Sequence, residues 1–462
     1  SMWRVLGVAC LHRSAVAFSS AAASSHRRGA LAPLTPAVAL RGVSVLVDRS
    51  SFRSTLSFLG VSVETSRINT LRKSLGAYAL QHRRIKGVQP DRRDSGRRVL
   101  LLNVTEENLP AAARLAVRRA GGELQQVEVE LTYDDLTATQ VLQKLLPSGV
   151  DVPAGFEMAG HLVHLNLQPE QLPYKALIGQ VLLDKLRPRV QTVVNKLHEI
   201  DSPFRVLPFE VIAGERRFDV EVQHGAATMR FDYSRVYWNS KLHSEHERLV
   251  SSFARGALVW DLFAGVGPFA VLAARRGVHV LANDLNPDCT TALLHNAKLN
   301  RVAPRIAVYN LDAADFVQRA LNSILGEPPA CSLSSVRLAY SCRSSDEADT
   351  LAVSASKMEA RPPSHVIMNF PGDAIRFTAA FRRLKSEPAR FRALQAPIVH
   401  CYTFSRCSTA QTQLDEANQL LLEHLGWVPE VEIREVRSVA PGKAMLCYSF
   451  ALTSTAQSGQ IK

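Results

Sequence analysis

An acid and two closely spaced glycines, in Asp261-Leu262-Phe263-Ala264-Gly265-Val266-Gly267-Pro268-Phe269, stand directly behind the apolar run 257–260. The pattern reads as a strand, a glycine turn and a helix start, with a carboxylate at the strand's end. Gly265 and Gly267 allow close approach of backbone to a ligand, and Pro268 suits a first helical turn, so free N–H groups can face a carboxylate or phosphate. Such a turn is a cofactor seat. Gly265, Gly267 and Ala270, with Asp284 further on, also fit the spacing of a dinucleotide fingerprint, and a packed turn without ligand is a third reading. Asp284, in Ala282-Asn283-Asp284-Leu285-Asn286-Pro287, ends the next strand, where an acceptor-only carboxylate can take both hydroxyls of a ribose. Asp312 ends the third strand and could accept from an adenine amino group; either acid could equally be a helix N-cap. Asn369, in Met368-Asn369-Phe370-Pro371-Gly372, ends the fourth strand with an amide that donates and accepts, suited to a purine edge, or simply opens a turn.

Elements must hold these strand ends together. Apolar runs at 278–282, 306–310, 365–368 and 396–402 alternate with helical patterns, and the pair 431–436 and 444–452 closes the series. This predicts an α/β fold: a parallel sheet with an antiparallel hairpin, in a domain over 251–455. The stretch 322–364, rich in Ser, Ala and Pro, reads as a disordered surface insertion. Upstream, 154–250 reads as a mixed α/β middle domain. It has strands at 161–167 and 190–197, a helix at 174–186, and a hairpin-like pair, 206–212 and 218–224, around Gly214-Glu215. A small α+β domain over 70–150 has strands at 99–102 and 127–131 and a helix at 108–119, and it ends near Pro147-Ser148-Gly149.

A chain of 462 residues implies two or three domains, and its net charge of +13 points to a polyanion, nucleic acid first. Some of that charge lies in residues 2–47, which hold Arg4, Arg13, Arg27, Arg28 and Arg41 among Ser and Ala and no acid. That is the make-up of a mitochondrial transit peptide, so residues 1–50 are expected to be unstructured and the protein to work in the mitochondrial matrix. Whether a share also stays in the nucleus or cytoplasm is open. No run reaches the roughly 20 apolar residues needed to span a bilayer, so no membrane partner is expected. Seven cysteines show neither a C-x-x-C pair nor zinc spacing. Reduced thiols and no metal follow.

Asp261 at the strand end, where a dinucleotide site keeps an apolar residue, and Phe263 in place of the first glycine make D-x-F-x-G-x-G resemble motif I of class I methyltransferases. That resemblance implies S-adenosylmethionine as cofactor. Over 156–452 the chain resembles the archaeal and eukaryotic type of tRNA (guanine-37-N1) methyltransferase. The likeness rests on His161-Leu162-Val163-His164-Leu165-Asn166-Leu167, Leu172-Pro173-Tyr174-Lys175, Val193-Val194-Asn195-Lys196-Leu197, Phe204-Arg205, and Glu210-Val211-Ile212-Ala213-Gly214-Glu215. It extends through Val236-Tyr237-Trp238-Asn239-Ser240-Lys241-Leu242, Glu245-His246, Asn369-Phe370-Pro371 and Val439-Ala440-Pro441-Gly442-Lys443.

The resemblance implies a class I, Rossmann-like methyltransferase domain, a monomer, and methyl transfer from S-adenosylmethionine to N1 of guanosine 37 in tRNA. Guanine N1 carries a proton, so the reaction needs a base and a donor for charge building toward O6. By motif match these are Glu245 and Arg205, with Asn369 at the base. Without the resemblance, Glu245 would be one acid on a charged helix, 244–250. The cofactor set implied is His246, Asp261, Phe263, Gly265, Gly267, Asp284, Leu285, Asp312 and Asn369. The leading domain, with the basic clusters of 81–98, is expected to read the outer corner of the tRNA. Lys241 for Arg, Phe370 for Leu and the 322–364 insertion depart from the family pattern. An aminocarboxypropyl transferase of wybutosine synthesis resembles the same domains, and a non-catalytic RNA-binding relative is a further alternative. Asn369-x-Pro371 and the Glu245 segment favour methylation.

Overall fold

Leu59, Val61 and Val63 alternate along the first strand and bury one face of it, which makes β1 (Ser54–Glu64) the middle of a sheet. The computed structural model describes residues 46–82, 85–197, 206–342, 344–387 and 392–452. After β1 come α1 (Ile68–Ser74), β2 (Val88–Pro90), β3 (Arg97–Leu101), α2 (Ala111–Arg119) and β4 (Glu123–Leu131). The antiparallel sheet runs β2-β3-β1-β4, with α1 and α2 packed on one face through Leu71, Ala113 and Val117. This domain therefore starts before residue 70. The alternation that marks β1 is diluted by Gly60 and Ser62; a Cβ at Gly60 would lie 2.6 Å from Val99.

The far boundary moves as well. Tyr133, Leu136, Val141 and Leu142, around α3 (Ala138–Leu145), are buried in the core of the following domain, not of the leading one. Phe52 joins that core, its ring 5.3 Å from Tyr133, and Arg49 pairs with Asp184 at 2.8 Å. The end of the expected 1–50 leader thus belongs to the fold. Residues 1–45 lie outside the described residues.

The middle domain has β5 (Glu157–Ala159), β6 (Leu162–Leu165), α4 (Lys175–Leu186), β7 (Thr192–Lys196) and β8 (Phe209–Gly214), in sheet order β5-β6-β7-β8. A hairpin around Gly214-Glu215 does not form. Strand β8 pairs with β7, while β9 (Asp219–His224) pairs with β10 (Ala227–Asp232). Gly214, at φ 83°, lies so close to the Gln191 carbonyl that a Cβ there would meet it at 2.1 Å, which ties this turn to the start of β7.

The last domain follows: α5 (His243–Ser251), β11 (Leu258–Asp261), α6 (Pro268–Arg275), β12 (His279–Asn283), α7 (Pro287–Leu299), β13 (Ile306–Tyr309) and α8 (Ala313–Ile324). Then come β14 (Arg337–Leu338), α9 (Ser345–Glu359), β15 (His365–Met368), β16 (Ile398–Ser405), α10 (Ala410–His424), β17 (Val431–Ala440) and β18 (Lys443–Ala451). Eight strands run β14-β13-β12-β11-β15-β16-β18-β17, parallel from β13 to β16. Apolar residues of β11 serve the cores on both faces, as a central parallel strand requires. The chain leaves β11 to one side and returns on the other at β15. The carboxyl ends of these two strands therefore border the crevice where α/β sheets hold ligands.

The stretch 322–364 is not disordered among its described residues. It carries β14 and α9, buries Leu333, Ala355 and Met358, and sets Glu359 at 4% exposure. Glu359 accepts from Tyr309 Oη at 2.7 Å and from Arg337 Nη1 at 2.9 Å, and Tyr340 Oη donates to the Ile306 carbonyl at 2.7 Å. Composition hides this segment because polar anchors replace most of its apolar ones. Glu359→Ala, which strands Arg337 and Tyr309, is expected to cost about 3 kcal/mol in chemical denaturation, against about 1 kcal/mol for Tyr309→Phe.

Candidate active site

The turn after β11 is held from inside the sheet. Buried Asn283 donates Nδ2 to the carbonyls of Leu262 (3.2 Å) and Leu311 (3.0 Å) and accepts from Leu311 N–H at 3.0 Å. Its own carbonyl takes the Ala264 N–H at 2.8 Å. One amide thus joins the loops after β11, β12 and β13. Asn310 adds a second tie, donating to the carbonyls of Asp284 and Leu285 at 2.7 and 2.9 Å.

The two glycines differ in duty. Gly265, at φ 54°, has open space where a Cβ would be, so that side of the turn can admit a ligand. Gly267, at φ 96°, caps α6, and a Cβ there would lie 2.3 Å from Leu293, so it serves the seating of the turn on α7. Asp284 reaches back to this turn: Oδ2 accepts from Gly265 N–H at 2.8 Å and Oδ1 from Asn286 N–H at 2.9 Å. Each oxygen keeps a lone pair for a further donor. Beside it Leu285 is 50% exposed, an apolar side chain left open at the rim. Asp312 caps α8, its Oδ1 accepting from Ala314 N–H at 2.8 Å. Phe263 stacks on Phe370 at 5.1 Å, which gives the departure at Phe370 a partner.

Asp261 is fully buried, and neither carboxylate oxygen has a hydrogen-bond partner. Burial, then the charge of Asp284, pushes it up to about 8, with only partial relief from the nearby Phe263 amide. Asp284 is raised by burial too, opposed by the Asn286 and Gly265 amides. At the end of β15, Asn369 Oδ1 is likewise buried without a partner. Two strand ends, at Asp261 and Asn369, therefore present polar groups that the protein itself leaves unanswered.

Glu245 lies on α5, buried at 5% exposure. Arg248 grips both of its oxygens, at 2.6 and 2.7 Å, and Tyr402 of β16 donates to it at 2.8 Å. Sequence reading missed both partners; Arg248 had an i, i+3 signal, while Tyr402 sits unmarked in an apolar strand. The ring of Tyr402 is 6.0 Å from Phe269 at the start of α6. On the next strand position but one, Phe404 N–H donates to the Pro371 carbonyl at 3.1 Å, tying the Asn369 turn to the strand that holds Glu245. His246 sits 4.4 Å from the Phe269 ring and shares a 2.9 Å hydrogen bond with His224. Burial, then His224 and His243, holds it well below the usual histidine range, and its Nε2 is buried without a hydrogen-bond partner. Arg205 lies outside the described residues. Among the described residues no cluster of His, Cys, Asp and Glu could hold a metal, and no helix is long and apolar enough to cross a membrane.

Known proteins match most of this chain. The TYW2 N-terminal domain family matches residues 138–217, and the TRM5/TYW2 methyltransferase domain family matches 220–332. The tRNA (guanine(37)-N(1))-methyltransferase of Danio rerio is 37% identical over 90% of this chain and 83% of its own length. The Homo sapiens protein of that name is 34% identical over 91% and 78%. The chain belongs to the tRNA (guanine(37)-N(1))-methyltransferase family. A solved complex of aTrm5 and tRNALeu matches this family member with a TM-score of 0.57 at 19% identity, covering 85% of this chain and 99% of the other. Trm5b of Pyrococcus abyssi gives 0.54 at 20%, with the same coverages. These likenesses carry the fold, a mixed α/β chain with a class I methyltransferase domain.

Asp261 gives this methyltransferase a pH signature. Between about pH 4 and pH 8 the unfolded chain ionises Asp261 while the fold keeps its proton, so stability falls as pH rises through that window. Ligand-free Asp261→Asn is expected to melt roughly 2–4 °C above wild type at pH 8, with the gap closing toward pH 4. Equal melting temperatures across the range would show that the carboxylate is not strained.

Proposed function

We infer that this protein transfers a methyl group from S-adenosylmethionine to N1 of guanosine 37 in tRNA. The observation that carries the reading is a cofactor-type turn with an unanswered carboxylate beside an Asn369 turn that is tied through β16 to a buried carboxylate, in a chain of this family. The residues present fit the cofactor. Asp284 has lone pairs left for ribose hydroxyls, the orphaned Asp261 oxygens suit a cationic amino group, and Leu285 offers apolar cover at the rim. When bound, S-adenosylmethionine supplies a methyl group activated by its sulfonium.

The chain's own residues then have three tasks. The target guanine must leave the anticodon loop's stack to enter a pocket. There Asn369, with its unpartnered Oδ1, accepts from the exocyclic amino edge, and Arg205, by motif match, stabilises the charge building on O6. Glu245 takes the N1 proton, leaving the electron pair on N1 for the new bond. The net charge of +13 suits a tRNA partner.

Glu245→Gln should lose about 100-fold or more in single-turnover rate on tRNA transcripts while S-adenosylmethionine binding stays within a few-fold. Transcripts with A at position 37 should not be modified, and the product mass should show a methyl group rather than an aminocarboxypropyl group. We propose further that the acid-free, Arg-rich leader directs the protein to mitochondria. Residues 1–50 fused to a fluorescent reporter should send it there, and a diffuse signal would remove the assignment.

A further inference from the structure

Glu245 is held more firmly than a base requires for orientation alone. Arg248, one turn along α5, donates Nη2 to Oε1 at 2.6 Å and Nε to Oε2 at 2.7 Å. Tyr402, fully buried, donates its hydroxyl to Oε1 at 2.8 Å. Arg434 of β17 stands with Nε 3.7 Å from Oε2, too far for a hydrogen bond, and its side chain is 53% exposed.

A carboxylate oxygen has two lone-pair sites. Oε1 spends both, on Arg248 and Tyr402. Oε2 spends one, on Arg248, and half-exposed Arg434 stands 3.7 Å from it. We propose that Oε2 is the atom that receives the substrate proton, and that Tyr402 and Arg248 are positioning residues that occupy Oε1 and fix the carboxylate plane. The proposal rests on the reading of Glu245 as base. In the transfer the N1–H bond breaks, an O–H bond forms on Oε2 and the electron pair stays on N1. Arg248 Nε keeps its bond to the other lone pair of Oε2 throughout. Substrate approaches from the β17 side, past Arg434.

The test is a double-mutant cycle on single-turnover methylation of tRNA. Tyr402→Phe removes one hydroxyl and keeps the packing. It should lower the rate roughly tenfold, with S-adenosylmethionine and tRNA affinities within twofold and a melting temperature within a few degrees. In a Glu245→Gln background the same change should add no further loss, because its only route to the chemistry is gone. Arg248→Lys, which keeps the charge and loses the fork, should lower the rate with the same dependence on Glu245, and it carries the test if Tyr402→Phe fails to fold. A Tyr402→Phe rate within twofold of wild type, or an equal loss in both backgrounds, would overturn the assignment of Tyr402. An unchanged rate for Glu245→Gln alone would instead remove the base, and this proposal with it.

Discussion

The open end of the parallel sheet depends on one buried amide. Asn283 bonds the loops after β11, β12 and β13 to one another. With those three loops joined, Asp284 can reach the Gly265 amide, and Asp261 can stay buried beside it. A parallel sheet leaves its strand ends free to diverge, since neighbouring strands are joined by long crossovers rather than tight turns. The amide supplies the connection that the topology does not.

Around this brace the structure accumulates unmet electrostatic demand. Asp261 has no partner, Asp284 is raised beside it, and Asn369 keeps an empty acceptor at the next strand end. A fold tolerates such groups where a ligand answers them, because leaving a buried polar atom unpaired costs about 1–3 kcal/mol. Glu245 is the opposite case. Its charge is met by Arg248 and Tyr402, and the demand there is geometric, to present one oxygen in one direction. The Phe269 ring packs against both His246 and Tyr402.

Much of this was legible in the chain. The runs 278–282, 306–310 and 365–368 marked the parallel strands because a buried parallel strand must be apolar on both faces, and the glycine turn marked the crevice because only glycine accepts φ of 54° and 96° cheaply. Less legible were the elements held by polar anchors. Helix α9 looked like filler because Glu359, Arg337 and Tyr340 do the work of a larger apolar face. Strand β1 was obscured by Gly60 and Ser62, and Tyr133 to Leu146 carried no sign of which core would take them.

The sequence by itself determined the class of sheet, the glycine turn after β11 and, through family motifs, membership of the guanine-N1 methyltransferase family, since these depend on local periodicity and on short motifs. Only the tertiary structure showed that a Cβ at Gly267 would meet Leu293 while Gly265 faces open space, that Asp312 accepts from the Ala314 amide, and that burial holds His246 well below the usual histidine range. It alone paired Glu245 with Tyr402, 157 residues away. The reason is physical: a side chain's role at a site follows from which lone pairs and protons its neighbours already occupy, and those neighbours come from distant parts of the chain.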